Sequence, residues 1–268
     1  MDAAKAVAVL AACDISDEEL LSKRTFGKVL PLAAVPTTSG TGSEVTPYSI
    51  LTNNTLETKS FLNSEQIYPR ISFLDGRYTL GLPRGVTVAT IADAFSHAAE
   101  GYLAARAVSM GRTLALESLR LIGNILPLLA GDMELNIKRR EEALYASLLA
   151  GIVISQSGTT AVHAMGYSLT YFKEIDHGLA NGYLMAEYFR YIAKTRPGEI
   201  EAILSAMGIA SIDDLDNILK RLLDEIRLTP EEIGKFASIA IKAGNIANTV
   251  PRPSEEDLHK ILSACFSK

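Results

Sequence analysis

The sequence predicts two structural regimes: a mixed α/β segment up to about Pro83, followed by a segment built of helices. Before Pro83, short apolar runs bounded by proline, glycine and asparagine alternate with two segments that carry helix-start signals. After Pro83, apolar residues recur at helical spacing and no run has the character of a strand. We therefore divide the chain into residues 1–83 and residues 84–268.

Two short helices are predicted at the start of the chain. Residues 2–13 are rich in alanine, and Asp2 stands where an N-cap or first-turn acid stabilises a helix. Residues 16–22 follow, and the spacing of Ser16 and Glu19 fits a capping box.

Four short strands are predicted between these helices and Pro83. Apolar runs over 29–35 and 71–74 are typical of buried strands. Residues 48–52 and 58–61 flank the pair Asn53-Asn54, which predicts a hairpin with an asparagine-rich turn.

The remainder of the chain is predicted to be helical. Start signals support two of these helices, since Ser211-Ile-Asp-Asp and Thr229-Pro-Glu-Glu each place first-turn acids after a cap residue. The predicted helices span residues 87–103, 110–129, 141–156, 159–170, 179–193, 200–207, 212–226, 230–243 and 255–266.

The composition is that of a globular protein. A chain of 268 residues that is 48% hydrophobic and 21% charged can bury a large core, which excludes wholesale disorder. The net charge of −5 gives no electrostatic reason to expect a nucleic-acid or anionic-membrane partner. The two cysteines, Cys13 and Cys265, lie at opposite ends and form no disulfide framework, so we expect a cytoplasmic protein.

One stretch, residues 143–172, contains no acidic or basic side chain and so resembles a membrane span. It is nevertheless interrupted by Gly151 and Gly158 and contains many serine, threonine, glutamine and histidine side chains. Facing lipid, each unsatisfied polar group would cost several kcal/mol. We therefore predict helices buried inside a soluble domain. The first residues, Met-Asp-Ala-Ala-Lys, also lack the basic region of a secretory signal.

One carboxylate and three imidazoles form a candidate metal site. Asp93 and His97 are four residues apart in a predicted helix, so their side chains leave the same face. His163 and His177 bracket a later helix, and together the four would suit Zn²⁺ or Fe²⁺. Taken singly, each histidine is more often an ordinary core or surface residue. His259 lies among charged residues and is expected at the surface.

The second candidate feature is the loop Pro36-Thr-Thr-Ser-Gly-Thr-Gly-Ser-Glu44, directly after a predicted strand. Backbone N–H groups in such a loop can face an anion or a ribose, but the composition fits a simple connector equally well. The loop matches neither a Walker A sequence nor the Gly-x-Gly-x-x-Gly dinucleotide fingerprint.

In order and spacing, four motifs resemble the iron-containing (group III) alcohol dehydrogenases, and the similarity runs from Asp2 to about Pro253. The motifs are Pro36-Thr-Thr-Ser-Gly-Thr-Gly-Ser-Glu-Val-Thr46, Asp93-Ala-Phe-Ser-His-Ala-Ala-Glu-Gly-Tyr102, His163-Ala-Met-Gly-Tyr167 and His177-Gly-Leu-Ala-Asn181. The resemblance implies a dehydroquinate-synthase-like fold, with an α/β remnant of a nucleotide-binding domain followed by an all-α metal-binding domain.

The resemblance also implies site residues and a reaction. The metal, Fe²⁺ or Zn²⁺, would be held by Asp93, His97, His163 and His177. NAD or NADP would be bound by Asp2, Thr37, Thr38, Thr41 and Lys59. The reaction would be the reversible oxidation of a small alcohol to an aldehyde or ketone. A homo-oligomer is compatible with the resemblance.

The sequence departs from the family pattern in three places. The family has a Gly-Gly-Gly-Ser segment immediately before the residue that matches Asp2, and about a hundred residues before that complete the nucleotide domain. We therefore expect a truncated chain with impaired NAD(P) binding. Many members have a histidine, suspected of relaying a proton, where this chain has Tyr167. The family's glycine shortly before Asp93 is also replaced, in the segment Thr90-Ile91-Ala92, so we expect tighter packing there.

Two other functions stay open. The chain could be a metal-binding helical remnant without oxidoreductase turnover, and nicotinamide-cofactor titration would separate this possibility from a dehydrogenase. A metal hydrolase would need a general base beside the metal, and only Tyr167 is near in sequence.

Overall fold

The computed structural model describes residues 1–53 and 58–267. The helices are α1 (Asp2–Leu10), α2 (Asp17–Ser22), α3 (Arg84–Leu103), α4 (Ser109–Gly123), α5 (Leu126–Ala130), α6 (Ile137–Ser157), α7 (Ala161–Lys173), α8 (His177–Ala193), α9 (Pro197–Met207), α10 (Ile212–Leu222), α11 (Pro230–Ala240) and α12 (Glu255–Phe266). The strands are β1 (Ala33–Ala34), β2 (Tyr48–Asn53), β3 (Thr58–Asn63) and β4 (Ile71–Ser72). Short 3₁₀ turns cover 43–45, 65–67, 76–79 and 244–248. An α/β segment thus precedes an all-α segment, which confirms the predicted fold class.

The strands form two small sheets. β1 pairs with β4 in parallel, with Ala33 opposite Ile71. β2 and β3 pair antiparallel along their whole length, which confirms the predicted hairpin. The second residue of the predicted Asn53-Asn54 turn lies outside the described residues.

The strands predicted over 29–35 and 71–74 are wrong in length, since each contributes only two paired residues. The ladder is bounded by the bonds from Arg70 N to Leu32 O and from Phe73 N to Ala34 O. Earlier in the run, the N–H of Leu30 donates instead to the carbonyl of Ala8 in α1. An apolar run becomes a strand only where a second strand lies beside it.

The helices of this segment begin as predicted. At α2 the capping box is present, because Ser16 Oγ accepts from Glu19 N at 3.2 Å and Glu19 Oε2 accepts from Ser16 N at 3.1 Å. The helix predicted over 2–13 stops at Leu10. Beyond it, the N–H groups of Ala12 and Cys13 both donate to Val9 O, which closes a turn instead of continuing the helix.

A buried lysine fastens α1 to the loop before β2. Lys5 is only 1% exposed, and its Nζ donates to the carbonyls of Thr46 and Tyr48, each at 2.8 Å. Burial lowers the pKa of Lys5 to about 8, against the opposing charges of Asp2 and Glu44.

The all-α segment is built around α3, which is buried along most of its length. Helices α4, α6 and α8 pack directly against it. The hydrophobic core of this segment runs from Val88 to Phe266, and a separate, smaller cluster from Ala6 to Ile67 belongs to the α/β segment. Helix α6 also contacts the 3₁₀ turns at 43–45 and 76–79, which connects the two segments.

The single helix predicted over 110–129 is wrong, because it breaks between α4 and α5. At the end of α4, Gly123 lies against Met207, and a Cβ on Gly123 would come 2.1 Å from the Met207 carbonyl oxygen. Pro127 then occupies the first turn of α5, where its missing N–H costs no helical hydrogen bond.

Other helices differ from the prediction mainly at their ends. The helix predicted over 212–226 ends at Leu222, and the one over 230–243 ends at Ala240. After α10, Leu223 has extended backbone angles, which ends the helix.

The apolar stretch 143–172 folds as two helices. Helices α6 and α7 meet at an angle of 110°, and Gly158 between them has φ +70°, a left-handed conformation that favours glycine. By length and composition, Ser109–Ala130 is apolar enough to cross a membrane, but half of its most apolar window is buried inside the fold. That burial is typical of a core helix in a globular protein.

Candidate metal centre

Three helices carry the candidate ligands. Asp93 and His97 stand one turn apart on α3, His163 lies in the first turn of α7, and His177 begins α8. The structure brings all four side chains together, and we refer to them as the Asp/His cluster. Asp93, His97 and His163 are buried, each no more than 6% exposed, whereas the side chain of His177 is 33% exposed. The cluster therefore opens towards solvent at His177.

Two glycines allow these helices to approach. A Cβ on Gly178 would come 1.8 Å from the Ala89 carbonyl oxygen, so α8 begins in direct backbone contact with α3. A Cβ on Gly166 would come 2.2 Å from Oδ1 of Asn181, so the small residue on α7 leaves room for the Asn181 side chain of α8. A larger residue at Gly178 would hold α8 and its His177 away from α3.

The distances fit a single cation. One ligand atom from each of Asp93, His97 and His163 lies within 4.8 Å of the other two. Nε2 of His97 and Nε2 of His177 lie 3.6 Å and 3.9 Å from Oδ1 of Asp93. Tetrahedral ligands with bonds of about 2.1 Å are separated by roughly 3.4 Å. One carboxylate with three imidazoles is also a donor set that suits Zn²⁺ or Fe²⁺.

Asn181 lies beside the same atoms and was not predicted. It is fully buried, and its amide nitrogen is 3.3–3.4 Å from Nε2 of His163, Nε2 of His177 and Oδ1 of Asp93. These contacts are longer than an ordinary hydrogen bond of about 2.9 Å. Its position four residues after His177 puts both side chains on one helix face, and that spacing is the signal that could have identified it.

Glu100 is the second residue that the sequence analysis missed. It is fully buried on α3, and its Oε2 accepts a very short hydrogen bond from Nδ1 of His163. Its position three residues after His97 places it on the same side of α3, which is again a signal of spacing alone.

Burial and the two carboxylates set the charges of the cluster. Burial alone would raise the pKa of Asp93, but His97 and His177 hold it below its usual range. Burial lowers the pKa of His97 and lowers that of His177 to about 4, although Asp93 opposes both shifts. Burial would also lower the pKa of His163, but the charge and hydrogen bond of Glu100 raise it above the ordinary histidine value. His97 and His177 are therefore neutral near pH 7, as a metal ligand must be.

Tyr167 lies flat against His177, with ring centroids 5.6 Å apart and an interplanar angle of 10°. Burial, and then the charges of Glu100 and Asp93, raise the pKa of Tyr167 to about 12. Its hydroxyl therefore stays protonated at neutral pH.

The segment Thr90-Ile91-Ala92, where the family's glycine is replaced, is buried in part. Ile91 is fully buried in the helical core, and Thr90 packs against Gly40. The segment is thus tightly packed.

Four of the five residues predicted to bind a nicotinamide cofactor line one cavity. The cavity, of about 430 Å³, is lined by Asp2, Thr37, Thr38 and Thr41, together with Met1, Ala3, Val35, Pro36 and Ser43. Within it, the carboxylate of Asp2 accepts from Ser43 Oγ at 3.0 Å and from Ile50 N at 3.2 Å. Lys59 belongs to β3, and its side chain lies outside the described part of the chain.

The glycines of the loop 36–44 have a packing role. A Cβ on Gly40 would come 2.6 Å from the carbonyl oxygen of Thr90, one turn before Asp93. Gly42 has φ +58°, and its Cβ would come 2.4 Å from Cα of Gly151 in α6. The loop is therefore pressed between the cavity and the helices α3 and α6, while its threonines face the cavity.

His259 lies apart from the cluster. It is exposed on α12, with Ser263 3.4 Å from its Nδ1, as expected from its charged surroundings.

Comparison with known proteins places both segments in one family. Residues 87–266 match the model of the "Fe-containing alcohol dehydrogenase family, C-terminal", and residues 1–76 match that of "Iron-containing alcohol dehydrogenase". Among curated proteins, the chain is 30% identical over 253 residues to the 1,3-propanediol dehydrogenase of Klebsiella pneumoniae, covering 88% of this chain and 65% of that protein. The probable alcohol dehydrogenase EutG of Escherichia coli is 33% identical, with 84% of this chain and 58% of that protein covered.

Solved structures agree in fold. An iron-containing alcohol dehydrogenase from Thermotoga maritima superposes with a TM-score of 0.89 at 34% identity, covering all of this chain and 72% of that one. A sulfoacetaldehyde reductase from Bifidobacterium kashiwanohense, solved in complex with NAD⁺, gives a TM-score of 0.89 at 26% identity and is covered to 73%. The chain spans about two thirds or less of the length of the curated relatives named above. On these matches, the chain belongs to the iron-containing alcohol dehydrogenase family.

Proposed function

We propose that the chain acts as a metal-dependent alcohol dehydrogenase, which converts a small alcohol to an aldehyde or ketone with NAD or NADP. The observation that carries this proposal is the convergence of one carboxylate and three imidazoles in the Asp/His cluster. Asp93, His97, His163 and His177 would hold Fe²⁺ or Zn²⁺. With neutral imidazoles and one carboxylate, the loaded site would carry a net charge of +1, which favours a negative oxygen ligand.

When bound, the cation supplies Lewis-acid polarisation of the substrate oxygen. The chain's own residues supply position and access. Asp93, His97 and His163 are buried away from water, and the partly exposed His177 marks the side from which a substrate would enter. Tyr167 covers one face of the His177 ring and keeps its proton at neutral pH, so it can offer a hydrogen bond there.

The nicotinamide cofactor would lie along the cavity lined by Asp2, Thr37, Thr38 and Thr41. The contact of Gly40 with Thr90, one turn before Asp93, supports this placement because it puts the cavity loop beside the metal-bearing helix. The relative from Bifidobacterium kashiwanohense was solved with NAD⁺, which supports a nicotinamide cofactor for this chain as well.

The metal assignment is tested by elemental analysis of purified variants. We expect His163→Ala and His177→Ala to lose most of the bound iron or zinc, because each removes one of four ligands. His259→Ala is the matched control, since it removes an exposed histidine outside the cluster, and it should retain the metal content of the unmodified protein. Unchanged metal content in both cluster variants would refute the assignment.

A second candidate function is metal binding without oxidoreductase turnover. It is favoured by one observation: all four cluster residues and the core around them lie in the all-α segment, whereas the residues that line the cavity belong to the α/β segment. Calorimetric titration with NADH and NADPH decides between the two functions. Binding of either cofactor supports the dehydrogenase, and no binding at millimolar concentration supports the second candidate.

The remaining proposals concern the class of substrate and the cellular location of the protein. The relatives named above as dehydrogenases and a reductase suggest small alcohols or aldehydes as substrates. We propose a cytoplasmic location, in keeping with a chain whose two described cysteines, Cys13 and Cys265, are not joined by a disulfide.

A further inference from the structure

Glu100 is a buried carboxylate whose partners all belong to the start of α7. Oε1 accepts from the backbone N–H of Thr160 at 2.8 Å, from the Thr160 hydroxyl at 2.7 Å and from the backbone N–H of His163 at 3.3 Å. Oε2 accepts from Nδ1 of His163. The hydroxyl of Tyr188 lies 2.9 Å from that of Thr160 and completes the arrangement from α8.

This arrangement explains how a charge is tolerated in the core. The N–H groups at the start of an α-helix have no partner within the helix, and the helix dipole favours an anion there. Glu100 takes up two such N–H groups of α7, at Thr160 and His163. The carboxylate therefore stays ionised without a lysine or arginine, and an ionised carboxylate can only accept hydrogen bonds.

The hydrogen bond to Glu100 determines which nitrogen of the His163 ring carries the proton. Because Glu100 only accepts, Nδ1 of His163 must carry a proton, and the lone pair of the neutral ring is left on Nε2. Nε2 points to the interior of the cluster, where it lies 3.3 Å from the amide nitrogen of Asn181. His163 is thus held at two points by one side chain, through its backbone N–H and through its ring.

The other two imidazoles are held differently. Nδ1 of His177 lies 3.4 Å from the hydroxyl of Thr170, a long contact, and the His97 ring faces the backbone of Gly40 rather than a carboxylate on that side. Of the three histidines, His163 is the one whose Nδ1 is hydrogen-bonded to a carboxylate, that of Glu100.

We propose that Glu100 is a positioning residue for metal binding, which holds His163 in the Nδ1–H tautomer with Nε2 directed at the cation. The inference rests on the proposed metal role of the Asp/His cluster. Partners of this kind orient a ligand histidine and raise its basicity, and their loss typically lowers metal affinity by 10- to 100-fold.

The substitution Glu100→Gln distinguishes a role in positioning the His163 ring from a role in filling space in the core. Glutamine has nearly the same shape, and its carbonyl oxygen can still accept from Thr160. Its amide group, however, donates towards Nδ1 of His163 instead of accepting, which favours the opposite tautomer with the proton on Nε2. That proton would compete directly with a metal ion.

The experiment measures Zn²⁺ affinity by competition with a chromophoric chelator and the ring tautomer by ¹⁵N NMR. Selective labelling is practical because the chain has four histidines, and His163→Gln identifies the signal. We expect the unmodified, Zn²⁺-loaded protein to show Nδ1 of His163 protonated. We expect Glu100→Gln to bind Zn²⁺ 10- to 100-fold more weakly. Glu44→Gln is the matched control, since Glu44 is also a buried carboxylate but, in the part of the chain that the structure describes, makes no hydrogen bond to His163, and it should retain the affinity.

Two results would overturn the inference: a His163 ring protonated on Nε2 instead of Nδ1 in the unmodified, Zn²⁺-loaded protein, or an affinity of Glu100→Gln within threefold of the unmodified protein. The tautomer is read from the unmodified chain, so it needs no variant to fold. If His163→Ala itself retains Zn²⁺, the proposed function fails. If His163→Ala loses Zn²⁺ and Glu100→Gln does not, only the role of Glu100 fails.

Discussion

Gly178 and Ala89 are in backbone contact, so close that a Cβ on Gly178 would lie 1.8 Å from the Ala89 carbonyl oxygen. Ala89 is one turn before Asp93 on α3, and Gly178 follows His177 at the start of α8. The contact therefore sets the distance between a carboxylate and an imidazole that belong to different helices. A structural glycine, which does no chemistry, determines whether the cluster can form.

The substitution Gly178→Ala should destabilise the fold by about 3 kcal/mol, because the added methyl group meets backbone atoms and Cβ of Asp93 rather than a flexible side chain. It should also weaken Zn²⁺ binding, since α8 must move away from α3 and take His177 with it. Urea unfolding and Zn²⁺ titration measure the two effects.

Gly234→Ala provides the matched control. Gly234 lies within α11, and a methyl group added there would meet nothing within 4 Å, so alanine should stabilise the helix by about 0.5–1 kcal/mol. Equal stability of the two variants would contradict the backbone contact at Gly178.

The buried Lys5 predicts a rise in stability at alkaline pH. Its pKa is about 8 in the fold and 10.5 in the unfolded chain, so between these values the unfolded chain binds more protons. The free energy of unfolding should therefore increase with pH over this range, by about 3 kcal/mol in total. Below pH 8 the full cost of burying the charge remains.

Lys5→Met should lack this rise, and urea unfolding at pH 7, 8, 9 and 10 measures it. Lys138→Met is the control, since its side chain is exposed on α6. If the unfolding free energies of Lys5→Met and the unmodified protein change in parallel with pH, the buried lysine does not titrate as described.

Tyr167 should contribute nothing to the pH dependence of metal binding between pH 6 and 9. Its pKa is raised to about 12, and its hydroxyl is therefore protonated throughout this range. We expect Tyr167→Phe to bind Zn²⁺ within about threefold of the unmodified protein and with the same pH profile. Tyr167→His introduces an imidazole, whose reference pKa of about 6.5 is far below that of tyrosine, so its pH profile should differ from that of Tyr167→Phe. A changed profile in Tyr167→Phe would show that the tyrosine participates in the titration.

Metal loading should stabilise the fold. A ligand that binds only the folded state adds about 2.7 kcal/mol at a hundred times its dissociation constant. We expect Zn²⁺ at that ratio to raise the melting temperature by roughly 5–10 °C, and a chelator to reverse the gain. His163→Ala should show no such rise, whereas His259→Ala should behave as the unmodified protein. The same rise in both variants would place the stabilising metal outside the Asp/His cluster.

Local features were predicted well where a local cause exists. The capping box at Ser16 forms as its spacing indicates, and α11 begins after Thr229 as its start signal predicts, because a cap residue and its partners lie within one turn. The strand predicted over 29–35 shortened because its pairing partner lies far along the chain. The helix predicted over 110–129 broke for a similar reason, since Gly123 meets the backbone of Met207.

The candidate ligands were recognisable because their residue types are rare and their motifs specific. Glu100 and Asn181 were not recognised as site residues, although both belong to those motifs. The role of a buried glutamate or asparagine becomes visible only when the groups that contact its side chain are known. Their importance follows from Nδ1 of His163 and from the ring nitrogens around the Asn181 amide.

The sequence by itself determined the order of the α/β and helical segments, the family, and the residue types that can bind a metal. These properties depend on hydrophobic periodicity, helix caps and short motifs, which involve residues close together in the chain. Only the tertiary structure decided that Asp93 and His177 meet, that Glu100 faces His163, and that four cofactor candidates share a cavity. Such contacts depend on how closely separate helices approach, and that approach is set by close contacts at glycines, such as Gly178 against the Ala89 backbone and Gly166 against the Asn181 side chain.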